Sequence, residues 1–238
     1  MSVANQRTNP LIKSAAELER DLSLRFHDST LLERALRHRS AGRNNNERLE
    51  FLGDSIVNAV VADYLFRNKP DAPEGALSRL RASVVREEGL SKVARRIRLG
   101  DYIEMGAGEL KSGGHRRDSI LADALEAVIG ALYLDQGFDV AADWIRDQFA
   151  EELECLPDAQ SLKDAKTQLQ EFLQRDRRAL PVYEVVDQFG QAHNQTFRVR
   201  CSVALDTDQA CQTQADGTSR RKAEQSAARA MLDKLTQS

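Results

Sequence analysis

Asn46-Glu47-Arg48-Leu49-Glu50-Phe51-Leu52-Gly53-Asp54 is the stretch on which the reading of this 238-residue chain turns. Its pattern predicts a helix opened by Asn46 as N-cap. At helical pitch Glu47, Glu50 and Asp54 (i, i+3, i+7) fall within roughly 60° of one another. Leu49, Leu52, Ile56, Ala59 and Val60 fall on the opposite side and are expected to face a core. Like charges at this spacing repel, so the acidic face needs a positive partner. A hard divalent cation such as Mg²⁺ suits carboxylate oxygens. The competing explanation is a solvated acidic face, with Glu47 serving only the helix dipole. Phe51 projects beside Glu47 and Asp54 on the polar face. A large apolar group there fits a two-fold dimer seam, or else packing within the monomer.

Working outward, Ser119 to Leu134 reads as a second helix, apolar nearly all round and therefore buried, with Asp118 or Ser119 as its cap. Asp123 and Glu126 are its only interior charges. Unpaired buried carboxylates are costly, so they pair with a cation or coordinate a metal. Arg79 or Arg81 could supply ion pairs. If instead the two helices face each other, their acids form an oxygen-rich cage suited to one or two Mg²⁺ ions of the kind that drive phosphodiester hydrolysis.

Leu156 to Ser161 breaks the helical pattern with turn-forming residues and marks a linker. Before it, apolar residues recur at helical spacing and no alternating strand stands out, which predicts an all-α N-terminal domain. Gly106 to Gly114, with Lys111, superficially suggests a phosphate-binding loop. That motif needs Gly directly before the Lys and a strand before the loop, and neither is present. After the linker the pattern is a helix over Asp164–Arg175, strands at Val182–Val186, Thr196–Val203 and roughly Gln209–Gln214, and a helix over Ser219–Leu235. The second strand places Phe197, Val199, Cys201 and Val203 on one face. This is an α+β module of α-β-β-β-α order.

Net charge is −3, unpromising for a polyanion binder, but the chain is uneven. Met1–Leu162 holds 22 basic and 27 acidic residues (net −5), and Lys163–Ser238 holds 12 and 10 (net +2). Cys155, Cys201 and Cys211 are odd in number and lack metal-ligand spacing, as expected of reduced thiols. No signal peptide or apolar span occurs, so no membrane association and a cytoplasmic location are expected.

The signature around Glu50 resembles that of the ribonuclease III family, and Ser119 to Glu126 is similar to that family's second acidic helix. His38-Arg39-Ser40, Glu74-Gly75, Leu77 to Arg81 and Leu110 to Gly114 occur in matching order. The closeness suggests a bacterial, single-chain member. The α-β-β-β-α module resembles the double-stranded RNA-binding domain through Pro181-x-Tyr183, Gly190-x-x-His193-x-x-x-Phe197 and Ser219 to Glu224. It departs from that pattern at Ala215, where a Gly is usual before the last helix. The resemblance implies an endonuclease domain over 15–137 with a helical extension to about 155, a linker over 156–162 and an RNA-binding domain over 163–236.

It further implies Glu50, Asp54, Asp123 and Glu126 as metal ligands, with Asp54 and Glu126 as the catalytic pair. Glu47 and Glu74 take outer-shell or RNA-contact roles. Thr167, Gln168, Glu171, His193, Arg220, Arg221 and Lys222 meet the duplex, and Phe51 the dimer partner. The cofactor would be Mg²⁺, with Mn²⁺ as a substitute. The expected products carry 5′-phosphate and 3′-hydroxyl ends with two-nucleotide 3′ overhangs, cut from ribosomal RNA precursors and structured mRNA. Two rivals remain: a duplex-RNA-binding protein without catalysis, and a metal-dependent phosphohydrolase of small nucleotides.

Overall fold

The computed structural model describes residues 12–191, 195–204 and 210–236, and the chain divides into two compact units, Met1–Ala159 and Gln160–Ser238. In the first, the helices are α1 (Ala15–Asp21), α2 (Ser29–Ala35), α3 (Glu47–Asn68), α4 (Glu74–Val85), α5 (Glu87–Arg96), α6 (Ala107–Lys111), α7 (Asp118–Gln148) and α8 (Ala150–Glu154). Local chemistry sets their starts. Ser14 and Glu17 close a capping box on α1, and the Asp28 side chain caps α2. The one β-type pairing among the described residues of this unit is a bridge between Arg37 and Glu104. The unit is all-helical, as expected.

Helices α3 and α7 pack along each other at the centre, flanked by α2 and α5. Val57, Val60, Val61 and Leu65 of α3 and Leu121, Leu125, Val128, Ile129 and Leu132 of α7 are all but fully buried. Each contributes about 1.5–3 kcal/mol by leaving water. The buried stripe of α3 is not the one expected. It runs Leu49-Gly53-Val57-Val60-Val61-Leu65, while Leu52 and Ile56 are half-buried and Ala59 is exposed. The reason is Gly53. A Cβ there would lie 1.7 Å from the Glu126 carbonyl oxygen, and one at Gly130 would lie 2.3 Å from that of Leu49. Backbone meets backbone at this crossing, so a residue with no hydropathy of its own lies at the centre of the packed face.

Two helix starts also differ from expectation. Asn46 flanks α3 but its side chain caps nothing. The neighbouring Asn45 does so instead, its Oδ1 accepting from the Glu47 N–H at 3.2 Å. Asn46 is buried and its N–H is committed to the Arg37 carbonyl at 2.9 Å, which sets the chain's entry into the helix. For α7, Arg117 takes the cap position and Asp118 is the first helical residue, bonded to Arg95 of α5. Gly137 (φ 85°, ψ 179°) then interrupts α7 in a backbone region that only glycine adopts readily.

The second unit comprises α9 (Ala165–Arg175), β1 (Val182–Phe189), β2 (Thr196–Ala204), β3 (Ala210–Gly217) and α10 (Arg220–Thr236), with an antiparallel sheet ordered β1-β2-β3. Val199, Cys201 and Val203 of β2 pack with Leu169 and Leu173 of α9 and Ala223, Ala227 and Met231 of α10, with Phe197 partly buried beside them. β1 runs past Val186 to Phe189, with a register shift between Val185 and Asp187. β3 runs past Gln214, which relocates Ala215: it pairs with Val199 inside the strand and packs against the core. The glycine that approaches the last helix is Gly217, whose Cβ would lie 2.3 Å from the Ala223 nitrogen. The turn into α10 therefore keeps a glycine, and Ala215 does not disturb it. No helix among the described residues is long and apolar enough to cross a membrane.

Candidate active site and nucleic-acid interface

Glu50 of α3 and Asp123 and Glu126 of α7 each present a carboxylate oxygen, and these oxygens lie within 4.8 Å of one another. The glycine crossing makes this possible. Glu50 is one turn before Gly53, and Glu126 is one turn before Gly130, so the close approach of the backbones carries the acids together. Asp54, next to Gly53, lies outside this group of three. Its Oδ1 accepts from Asn58 Nδ2 at 2.9 Å, yet its charge is the strongest acting on Glu126.

No arginine bonds Glu50, Asp123 or Glu126 among the described residues, which removes the ion-pair alternative. Arg79 instead donates to the Ala159 carbonyl at 3.3 Å. Burial, then the charges of Asp54, Asp123 and Glu50, push the Glu126 carboxyl up to about 8. Burial, Asp123 and Glu47 raise Glu50. Burial and Glu87 raise Asp123, with His38 and Arg39 opposing. A site that strains against its own negative charge is one a cation relieves. Three hard oxygen donors converging from two rigid helices fit a divalent metal ion. Glu87 and the buried His38 went unrecognised in the sequence as neighbours of this cluster. They come from separate segments, and no spacing rule joins them to α7.

Glu47 lies beside the cluster, accepting from Asn45 Nδ2 at 3.0 Å and 3.9 Å from Arg39 Nη1. Glu74 does not join it. Its Oε1 accepts from Ser78 Oγ at 2.7 Å, and it lines a cavity of about 430 Å³ with Ala62, Phe66, Leu77 and Arg81. Phe51 is 78% exposed. Ser55, Ala59 and Phe66 continue its side of α3, also exposed.

In the second unit Thr167, Gln168 and Glu171 sit on α9. Thr167 Oγ1 donates to Asp164 at 2.9 Å. Gln168 Nε2 donates to the carbonyls of Gln160 and Lys163, and its Oε1 accepts from Arg229. Glu171 bonds Lys163. Arg220, Arg221 and Lys222 form the exposed first turn of α10, capped by Ser219 Oγ accepting from the Lys222 N–H at 3.2 Å. Arg220 also pairs with Glu224, which holds Lys166 as well. His193 lies outside the described residues.

An acid-lined helical unit followed by an α-β-β-β-α module that shows cations at a helix start defines a class: a nuclease joined to a reader of duplex RNA. Comparison with known proteins agrees. Residues 28–153 match the Ribonuclease-III-like family model, and residues 165–235 match the double-stranded RNA binding motif. Ribonuclease 3 of Histophilus somni is 51% identical over 219 residues, spanning 92% of this chain and 97% of the relative. That of Methylococcus capsulatus is 50% identical over 226 residues, 95% and 97% of the two chains. Among solved structures, the nuclease domain of ribonuclease III from Campylobacter jejuni matches with a TM-score of 0.56 at 44% identity. That match covers 57% of this chain and 96% of the other. The chain belongs to the ribonuclease III family and is a double-strand-specific endoribonuclease.

Proposed function

We propose that Glu50, Asp123 and Glu126, joined by Asp54, hold Mg²⁺ (or Mn²⁺) and cut each strand of a duplex, leaving 5′-phosphate and 3′-hydroxyl ends with two-nucleotide 3′ overhangs. The observation that carries this is the convergence of three carboxylates within 4.8 Å without an arginine to neutralise them. A bound divalent ion supplies an acidified water and charge stabilisation at the phosphate. The protein's own part is to hold the donors rigid and partly dry. Glu126 is the most strongly shifted of the set and completes the cage, with Asp54 beside it. Glu47 and Glu74 serve outside the cage.

Among the described residues each chain carries one such cluster, so cutting both strands calls for two chains. Phe51 and the small residues that follow it on α3 fit a homodimer seam. The Campylobacter jejuni structure is described as having a region involved in dimer formation. Thr167, Gln168, Glu171 and His193 meet minor grooves, and Arg220, Arg221 and Lys222 meet phosphates, aided by the helix N-terminus. The catalytic domain spans 15–137 with its extension to about 155, and the RNA-binding domain 163–236. The substrates are ribosomal RNA precursors and structured mRNA, and the protein works in the cytoplasm.

The test is Glu126→Gln on long duplex RNA, single-stranded RNA and duplex DNA, each with Mg²⁺ or EDTA. The parent protein cuts only the duplex RNA and only with Mg²⁺. The variant binds the duplex and does not cut. Normal turnover by the variant at ordinary Mg²⁺ removes Glu126 from the site.

A further inference from the structure

Arg39 stands at the edge of the acidic cluster and is nevertheless uncommitted to it. It opens a 3₁₀ turn, Arg39–Ala41, whose N-cap His38 accepts the Ser40 N–H at its ring Nδ1. The turn is clamped from both sides. The His38 N–H bonds the Glu104 carbonyl at 3.0 Å, and the Gly106 N–H bonds Ser40 Oγ at 2.9 Å. Gly106 is pressed so close that a Cβ there would lie 2.5 Å from the Ser40 carbonyl oxygen. The backbone that carries Arg39 is therefore fixed, while its side chain is 71% exposed. Its one ion pair among the described residues is with Glu47 at 3.9 Å, too long for a hydrogen bond. Its charge reaches both Glu50 and Asp123.

A resident counter-ion for the acids would sit in a bidentate bond to one of them. Arg39 makes none. Its planar fork of five donors remains available on a rigid mount, at the point where a polyanion must approach a negatively charged pocket. Arginine in that setting suits a phosphate, and its charge offsets the repulsion the acids exert on the incoming backbone.

We propose that Arg39 is a substrate-positioning residue that grips a backbone phosphate of the duplex next to the cut, so that the nuclease unit itself contributes to holding RNA. This rests on the acidic cluster being the cutting site.

The experiment uses Glu126→Gln as a full-length, cleavage-dead background and a long synthetic RNA duplex as probe. Binding is measured across a salt series with and without Arg39→Ala. The expected result is a five- to tenfold weaker Kd near physiological salt. The slope of log affinity against log salt should become shallower by about one unit per site. In the active protein, Arg39→Ala raises KM more than it lowers kcat. Arg39→Lys keeps the charge but loses the fork, so it retains the slope and binds a few-fold weaker than the parent. Unchanged affinity overturns the proposal, as does weaker binding at an unchanged slope. Should Arg39→Ala melt early, parent-like binding by Arg39→Lys overturns it instead. The two readings fail separately: cutting by Glu126→Gln sinks the acidic site, whereas an inert Glu126→Gln with an unaltered Arg39 slope sinks only the arginine.

Discussion

Replacing Gly53 with alanine is the sharpest test of how the fold makes the site. The added Cβ would stand 1.7 Å from the Glu126 carbonyl oxygen, 2.5 Å from its carbon and 3.0 Å from the Gly130 nitrogen. An ordinary contact begins near 3.4 Å, so α3 and α7 must part by about 1.7 Å, and no flexible side chain can yield in their place. Forced overpacking of this kind costs about 1–3 kcal/mol or more, against which alanine's better helix propensity returns up to about 1 kcal/mol. For a chain of this size a net loss of about 1–3 kcal/mol lowers Tm by roughly 2–12 °C. The larger effect falls on chemistry, because Glu50 and Glu126 ride on the two helices being separated. Mg²⁺ demands near-ideal octahedral geometry, and a 1 Å misplacement alone is worth about a hundredfold in rate. Single-turnover cleavage of duplex RNA should fall at least a hundredfold, and the rise in Tm on adding Mg²⁺ that is expected of the parent should largely vanish. Duplex binding should stay within a few-fold. Gly108→Ala is the control, since nothing lies within 4 Å of a Cβ there. A Gly53→Ala protein with parental Tm and parental rate would refute the close-approach account.

Without metal, Glu126 keeps its proton up to about pH 8 in the folded chain, so between about pH 4.5 and 8 the folded state binds more protons than the unfolded one. Stability in EDTA should therefore be highest at the acid end of that window and fall as pH rises through it. The loss is about 2 kcal/mol after discounting for solvent reaching this half-buried group. Melting curves should show it, flattened in Glu126→Gln, and a flat parent profile would contradict the assignment. The Tm gain from Mg²⁺ should grow over the same pH range, since the ion displaces that proton. Phe51→Asp should drive the protein towards monomer in sedimentation equilibrium, and an unchanged dimer would remove Phe51 from the seam. Arg220, Arg221 and Lys222 changed together to alanine should weaken duplex binding at least tenfold and flatten its salt dependence, while cleavage at low salt persists. Equal binding at all salts would refute their role.

Much of this was legible because the acids follow a helical period: Glu47, Glu50 and Asp54 could be placed on one face, and Asp123 and Glu126 stood out in an otherwise apolar helix. The alternation of Val199, Cys201 and Val203 likewise announced β2. What escaped has common physical causes. Gly53 carries no hydropathy, so helical periodicity puts the packed stripe of α3 on Leu52, Ile56 and Ala59, where the fold buries Gly53, Val57 and Val61. Asn45 and Asn46 are equally able to cap, and tertiary burial of Asn46 decided between them. β3 ends with Ala215 between the polar Gln214 and Asp216 and with Gly217 last, so pairing with β2 extends it where composition does not. Glu87 and His38 approach Asp123 only through the tertiary fold.

The bonds around α9 carry a consequence of their own. Gln168 spends both amide hydrogens on main-chain carbonyls and its oxygen on Arg229, and Thr167 has given its hydroxyl hydrogen to Asp164. These groups have little left with which to interrogate a base edge, although the Thr167 oxygen can still accept from a ribose hydroxyl. Little rotamer freedom remains for docking to remove, so the helix meets its target as a fixed gauge. On the proposed reading of α9 as a groove contact, it would measure the width of a groove and be indifferent to the letters inside it.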